Sequence, residues 1–257
     1  MGATDYLENK IMDHIFGMGN RNYIPATSLY LGFSKSQVMD NESGVDEPSG
    51  SGYSRKLISF NAASDGIASN SNSISWSATG KWGQIKYAFI SDGTHILIYD
   101  SGFDFITRNG VTVSIPSGSL NVSIKGSVFS DYMKNKILDH ILGGGQRNYT
   151  PPSAIYLSLW KKSPYGNFDF ELSGGGYSRV ATSSSDWSQA SDGVVKNISP
   201  IQFPTATQKW GGITSVGFHD ASVEGNLLIK IKLETEISIK AGSALKFNAG
   251  DISVGIK

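Results

Sequence analysis

The clearest pattern of apolar and polar positions along this chain is a helical stripe that occurs twice. Asp5 and Glu8 are placed to cap the first helix, and Gly17 is placed to end it. The second occurrence, residues 131–143, keeps the stripe but has Lys134 in place of Glu8. The spacing therefore predicts two short amphipathic helices, and we expect their apolar face to pack against the domain or a neighbouring subunit. The stripe consists of Leu7, Ile11, Met12, Ile15 and Phe16, then of Met133, Ile137, Leu138, Ile141 and Leu142.

These helices open two copies of one sequence unit. Residues 5–23 align with residues 131–149 without a gap, and 13 of the 19 positions are identical. The tetrapeptide Gly-Tyr-Ser-Arg then occurs at residues 52–55 and again at residues 176–179, and the match continues to the end of each half. Because 257 residues also correspond to about two domains, the sequence predicts a tandem duplication.

After the helix, each copy consists of short alternating segments separated by turns that contain glycine, proline or an Asp-Gly pair. The alternation over residues 111–124 predicts a half-buried antiparallel hairpin at the end of the first copy. Each copy contains roughly seven to eight such segments, which is typical of an antiparallel sandwich or jelly-roll-like domain. We therefore predict a mainly β protein with β-sandwich repeat 1 in residues 1–126 and β-sandwich repeat 2 in residues 127–257, each opened by one helix. The pattern leaves sandwich and barrel as alternatives.

Composition and charge narrow the classes of partner. There is no cysteine, which excludes disulfides, thiolate nucleophiles and cysteine zinc sites. The N-terminal residues do not resemble a signal peptide, and no apolar run approaches the roughly 20 residues of a membrane span, so we expect folding in a cytoplasm and no membrane partner. The first half has 9 basic and 11 acidic residues and the second has 13 and 11, a balance that does not favour nucleic acid.

Candidate chemistry is sparse. His14 and His140 each follow an aspartate on the opening helix, but no second histidine or carboxylate cluster accompanies them, so packing or capping is the favoured interpretation. Asp65-Gly66 and Asp192-Gly193 lack the oxygen ligands at every second residue that a calcium loop needs, and they predict turns. Nucleotide-binding and hydrolase motifs are also absent, so the sequence predicts no catalytic residue, no metal site and no cofactor.

Tryptophan raises two competing interpretations. Trp82 and Trp210 occupy matching places in the two copies, which favours a role as core plugs. Trp160 and Trp187 are found only in the second copy, and exposed aromatic rings on a β-sandwich could stack on sugars. The glycan-binding alternative therefore predicts that Trp160 or Trp187 is exposed beside a groove.

The second half resembles a family of bacteriophage virion proteins described as phage tail fibre or minor structural proteins. The resemblance covers nearly all of residues 131–257 and is weaker in the first half, which has Ile24-Pro25-Ala26 where the second has Thr150-Pro151-Pro152 and lacks a Gly-Asn-Leu-Leu segment. This departure suggests that the first copy has taken on a different contact. The segments that carry the resemblance are residues 135–144, 149–159, 171–180, 210–211, 216–221, 225–228 and 247–252.

The resemblance implies a non-enzymatic virion structural protein, either a decoration or cement protein on the capsid exterior or a tail component. Its expected partners are other virion proteins, such as the major capsid or tail proteins, and further copies of itself, because two linked domains can bridge equivalent sites. One alternative is a host-surface adhesin that binds glycan, and a second is a glycan-cleaving enzyme with two carboxylates in one cleft.

Overall fold

The computed structural model describes residues 2–124, 128–143, 149–163 and 168–256. The chain forms two compact units, and each takes segments from both halves of the sequence. The first unit consists of residues 1–10, 24–125 and 134–149, and the second of residues 11–23, 126–133 and 150–257. The repeat boundary between residues 126 and 127 lies outside the described residues and stays a prediction.

Both predicted helices are present, as α1 (Asp5–Phe16) and α2 (Asp131–Leu142). The predicted cap is wrong by one residue. Thr4 Oγ1 accepts a hydrogen bond from the Leu7 amide at 3.4 Å, and Ser130 Oγ accepts one from the Met133 amide at 3.2 Å. A hydroxyl before the first helical turn therefore satisfies an otherwise unpaired N–H in both helices. Neither described helix has the length and apolar character needed to cross a membrane.

The described residues of the first unit form one five-stranded antiparallel sheet and three two-stranded ones. The main sheet has the order β1-β8-β7-β2-β3, and the small sheets pair β5 with β10, β4 with β11 and β6 with β9. Phe33 of β2 contacts the ring of Trp76 of β5 at a centroid distance of 5.0 Å, so the main sheet packs on a small one as in a sandwich. The strands are β1 (Gly2–Ala3), β2 (Leu29–Ser34), β3 (Lys56–Ile58), β4 (Ile67–Ser69), β5 (Ile74–Ser77), β6 (Gln84–Ile85), β7 (Tyr87–Ser91), β8 (Ile96–Asp100), β9 (Phe105–Ile106), β10 (Thr112–Ile115) and β11 (Asn121–Ser123).

The second unit has a similar order of pairing. In its main sheet β12 pairs with β13, β14 and β17, and β17 pairs with β18, while β15 pairs with β20 and β16 with β19. The prediction of a mainly β, antiparallel, sandwich-like fold is confirmed. The strands are β12 (Ile155–Lys162), β13 (Asp169–Glu171), β14 (Val180–Thr182), β15 (Val194–Lys196), β16 (Ile201–Gln202), β17 (Gly211–His219), β18 (Leu227–Ile239), β19 (Lys246–Phe247) and β20 (Ser253–Gly255), with one 3-10 turn at Ser184–Asp186.

The predicted hairpin over residues 111–124 is wrong. β10 pairs with β5 and β11 pairs with β4, so the two alternating segments do not pair with each other. The buried side chain of Asn70 holds the turn between them, since its Nδ2 donates to Pro116 O at 2.9 Å and its Oδ1 accepts from the Leu120 amide at 2.9 Å. Alternation specifies which residues are buried, and it does not specify the partner strand.

The two Asp-Gly pairs form tight turns, as predicted, and a helix binds each turn. Asp65 and Gly66 both have positive φ, as a type I′ turn requires. In the first unit Asn135 Oδ1 of α2 accepts the Gly66 amide at 2.8 Å. In the second unit Asp13 Oδ1 of α1 accepts the Ala190 amide at 2.8 Å, beside the Asp192 turn. The C-terminal part of each helix therefore belongs to the unit that holds the other copy's strands.

Candidate functional site

The second unit presents a polar face on its main sheet. Paired residues on neighbouring strands point to the same side of a sheet, and the rows Trp160–Ser215–Lys232 and Ser158–Gly217–Lys230 therefore share one face. The opposite face carries the buried apolar residues of the same strands. We call this surface the polar face; it consists of Ser158, Trp160, Ser215, Gly217, His219, Lys230 and Lys232.

Trp160 lies at the centre of the polar face and is half-buried. Its indole N–H donates to Ser158 Oγ at 2.8 Å, and the Lys230 ammonium lies over its ring at 4.7 Å from the centroid. The Lys230 ammonium also forms an ion pair with Asp169 at 2.6 Å. Gly217 provides the space for the indole, because a Cβ there would lie 2.4 Å from Trp160 Nε1. The Lys230 ammonium thus covers one side of the Trp160 ring through a cation–π contact, and Asp169 holds the ammonium there.

A carboxylate, a phenol and a guanidinium support one edge of the polar face. Glu171 forms hydrogen bonds with Arg179 at 2.8 and 2.7 Å and with the Tyr177 hydroxyl at 2.9 Å. The Tyr177 oxygen in turn accepts the Leu159 amide at 3.0 Å. Burial acts to raise the pKa of Glu171, but the hydrogen bonds from Arg179 and Tyr177 outweigh it and lower that pKa. Burial raises the pKa of Tyr177, so its hydroxyl stays protonated and donates to Glu171.

His219 is buried within the polar face. Its Nε2 lies 3.0 Å from Ser158 Oγ and 3.9 Å from the Glu171 carboxylate, and its Nδ1 has no hydrogen-bond partner among the described residues. Burial and the Arg179 charge lower the pKa of His219 to about 4, so the imidazole is neutral at pH 7. Ser158 and His219 have the chemistry of a nucleophile and a base, but Ser158 is 0% exposed and a substrate cannot reach it in this conformation.

The corresponding face of the first unit is apolar and closed. It keeps the same support, because Glu47 forms hydrogen bonds with Tyr53 at 2.7 Å and with Arg55 at 2.9 Å. Its bulky ring, however, comes from Phe89, which lies over Gly32 in the way that Trp160 lies over Gly217. Val38, Ile96 and Val45 pack against Phe89 and bury it. On the polar face of the second unit, Ser158, Ser215 and His219 are buried, Trp160 and Lys230 are half-buried, and Lys232 is exposed.

The structure separates the two tryptophans singled out for glycan binding. Trp187 is 1% exposed and contacts Phe16 and Phe218, so of the two residues named by the glycan-binding alternative only Trp160 can be its exposed ring. Trp160 does lie on an accessible face, but a sugar could stack on its Lys230 side only by displacing the ammonium. Glycan binding by Trp160 stays a prediction. Trp82 and Trp210 are both buried, in agreement with the core-plug interpretation.

The histidines of the two opening helices, His14 and His140, are buried. His14 Nδ1 accepts the Tyr23 amide at 3.2 Å in the turn after α1. Within the described ranges, no group of three or more histidine, aspartate or glutamate side chains is arranged to hold a metal ion. The packing interpretation of these histidines agrees with their burial.

Sequence reasoning missed the residues that organise the site. Glu47 lies in a loop and Glu171 at the end of β13, in segments that differ between the copies, yet each precedes its arginine partner by eight residues. Asn70 and Asn197 also occupy matching places, and both are buried with main-chain partners on each side-chain atom. Identical polar residues at matching positions of both copies are the sequence signal for these residues.

Comparison with known proteins identifies one family. The family described as "Podophage GP4 fiber I protein gp80" matches two segments of the chain, residues 2–101 and residues 128–255. These segments include almost all described residues of both main sheets. No curated protein matches the chain.

Proposed function

Because this chain belongs to the podophage GP4 fiber I protein gp80 family and is a structural component of a phage particle, we propose that it is located at the tail and acts through protein–protein contacts. Its partners in this proposal are other virion proteins and further copies of itself. It catalyses no reaction; this part of the proposal rests on the family description, which names a fibre protein.

The observation that carries the proposal is the family match to both halves of the chain. The word "fiber" in the family description favours the tail over the capsid exterior, where a decoration or cement protein would be found. The polar face of the second unit supports a role in contacts, because Trp160 and Lys230 are half-exposed on it and Lys232 is exposed. A particle component of this kind would use that face for assembly.

Immunogold labelling of intact particles, combined with counting of the protein's copies per particle, tests the location. We expect a small number of copies at one end of the particle. Hundreds of copies spread over the head would overturn the tail proposal in favour of capsid decoration. Detergent-free purified particles are the appropriate sample, because loosely associated protein would otherwise be lost or redistributed.

A second candidate, glycan binding at the host surface, is favoured by the position of Trp160 on the polar face. A glycan array with the purified chain tests it, together with the variants Trp160→Ala and Lys230→Ala. Stacking on the indole predicts that Trp160→Ala abolishes binding and that Lys230→Ala, which uncovers the ring, preserves or strengthens it. Binding that survives Trp160→Ala would exclude this residue as the sugar platform.

A further inference from the structure

A turn on the surface of the first unit contains the only Asn-Gly pair of the chain. Asn109 and Gly110 are both exposed, and they lie shortly before β10. The Val111 amide donates to Arg108 O at 3.1 Å across the turn, and Gly110 has a φ of 81°. A turn with this hydrogen bond and a positive φ at its third residue favours glycine there. The fold therefore keeps on its surface an asparagine whose next amide nitrogen is not shielded by a side chain.

An asparagine in this position can react with its own main chain. The nitrogen of the next residue, after losing its proton to a base in solution, attacks the side-chain carbon Cγ. A bond forms between these two atoms, the bond from Cγ to the carboxamide nitrogen breaks, and that nitrogen leaves as ammonia. Water then opens the cyclic imide, at Cγ to give aspartate or at the main-chain carbonyl carbon to give isoaspartate. The sequence of steps consumes only water, and asparagine is among the thermally labile residues.

The carboxamide of Asn109 is free to turn toward the Gly110 nitrogen. It forms no hydrogen bond with any residue that the structure describes. The asparagines that precede alanine or serine, the next smallest residues, are restrained instead. Each of these has a side-chain hydrogen bond: Asn61 with Ser69 Oγ, Asn70 with Pro116 O, Asn72 with Leu57 O and Asn248 with Asp251.

The attacking nitrogen is restrained in the folded chain. The Gly110 N–H donates to Ala78 O at 2.9 Å, directly after β5, and the Ala78 N–H donates to Val111 O at 2.9 Å. Attack on Cγ requires the Gly110 nitrogen to give up its bond, so the reaction proceeds only while the turn is open. An intramolecular hydrogen bond of typical net strength reduces the open population about fivefold.

We propose that Asn109 is a site of spontaneous deamidation and that the hydrogen bond from Gly110 to Ala78 sets its rate in the folded chain. The product carries a new negative charge beside β10, and its isoaspartate form inserts an extra carbon into the main chain at the turn. Because β10 pairs with β5 from Thr112 onward, the insertion disturbs the register where this pair begins. We expect the first unit to lose stability as the protein ages. This inference does not rest on the proposed function.

The second copy contains the same turn without the reactive side chain. Ala241 takes the place of Asn109, and it precedes Gly242, whose φ is 82°. The Gly242 amide donates to Ala206 O at 2.7 Å, and the Ser243 amide closes the turn at 3.1 Å. The structure therefore shows that alanine is compatible with this turn. Asn109→Ala and Ala241→Asn are matched variants that remove the site and add a second one.

Peptide mapping by mass spectrometry of the full-length chain at mildly alkaline pH tests the site. Folded samples and samples unfolded in guanidinium chloride are incubated in parallel. We expect Asn109 to convert before every other asparagine of the folded chain, and about fivefold faster or more after unfolding. Earlier conversion of another asparagine would overturn the assignment, and so would an intact Asn109 in the folded chain after its full conversion in the unfolded one. Equal rates in the two samples would overturn the control by the Gly110 bond.

The variants test the role of the turn and the consequence of the reaction. Asn109→Ala should abolish conversion in this turn, and Ala241→Asn should create a second site that also reacts more slowly in the folded chain. A folded Ala241→Asn variant that never converts at position 241 would contradict the proposal. Calorimetry after incubation should show a lower Tm for the original chain and an unchanged Tm for Asn109→Ala. An equal decrease in both proteins would refute the loss of stability at this turn, and circular dichroism before incubation verifies that each variant is folded.

Discussion

Replacement of Asn197 by alanine should cost the second unit about 3 kcal/mol of stability. The Asn197 side chain is 1% exposed; its Nδ2 donates to Ser199 O at 2.9 Å and to Asn248 O at 2.7 Å, and its Oδ1 accepts the Ile252 amide at 2.8 Å. Each such bond contributes about 1 kcal/mol net, and truncation leaves its main-chain partner without one. For a unit of this size, a loss of about 3 kcal/mol lowers Tm by about 10 °C.

Differential scanning calorimetry of the full chain measures this loss. Gln202→Ala, at an exposed position of β16, is the control and should change stability by less than about 0.5 kcal/mol. Asn197→Asp should destabilise the unit at least as strongly at pH 7, because it places a carboxylate against two carbonyl oxygens. Asn70→Ala makes the equivalent change in the first unit. If Asn197→Ala lost less than about 1 kcal/mol, the asparagine would not be what holds the turn between the closing strands.

Two further predictions concern the polar face and its counterpart. The pKa of His219 in the folded protein, about 4, lies below its ordinary value of 6.5. Between these two pH values the unfolded chain binds a proton at His219 that the folded chain does not. The free energy of unfolding should therefore fall by about 3 kcal/mol as the pH drops from above 6.5 to 4. Chemical denaturation at several pH values, compared with His219→Gln, measures this difference, and equal pH slopes in the two proteins would contradict it. Gly217→Ala and Gly32→Ala should each destabilise their unit by about 1–3 kcal/mol, because the new methyl group meets the Trp160 or Phe89 ring at 2.4 Å; a smaller loss in thermal unfolding would show that the ring moves aside easily.

The sequence pattern was sufficient to predict the elements that depend mainly on local residues, which are the two helices and the tight turns. The helical stripe predicted α1 and α2 with correct C-terminal ends, and the Asp65-Gly66 pair predicted a tight turn. The pairing of the closing strands was wrong because alternation marks a buried face without naming the neighbouring strand. Asn70, which holds the turn between those strands, makes contacts with residues that are distant in sequence.

The candidate site was only partly visible in the sequence. Trp160 is unique to the second copy, which marks it in the sequence, and it does lie at the centre of the polar face. Glu171 and His219 reach that face from different strands, and no spacing rule joins them to Trp160. Trp187 shared the uniqueness of Trp160 but is buried, because its ring fills the space beside Phe218. Uniqueness shows that an environment differs, and it does not show whether that environment is core or surface.

The assignment of the helices to units could not be predicted either. An offset between two copies identifies equivalent residues, and it carries no information about which strands a helix packs on. The hydrogen bonds from Ala63 to Asp139 and from Ala190 to Asp13 supply that information. Both bonds join a turn of one copy to the helix of the other.

The composition of the first unit has a consequence for synthesis. Its strands end at residue 123, yet it also contains residues 134–149. A ribosome adds about 5–20 residues per second, so the first strands wait for at least about a second before the last helical segment of their unit exists. During that interval the surface that α2 will cover is exposed to water and to other nascent chains. The order of translation, and not only the final fold, therefore determines when this protein is most vulnerable to aggregation.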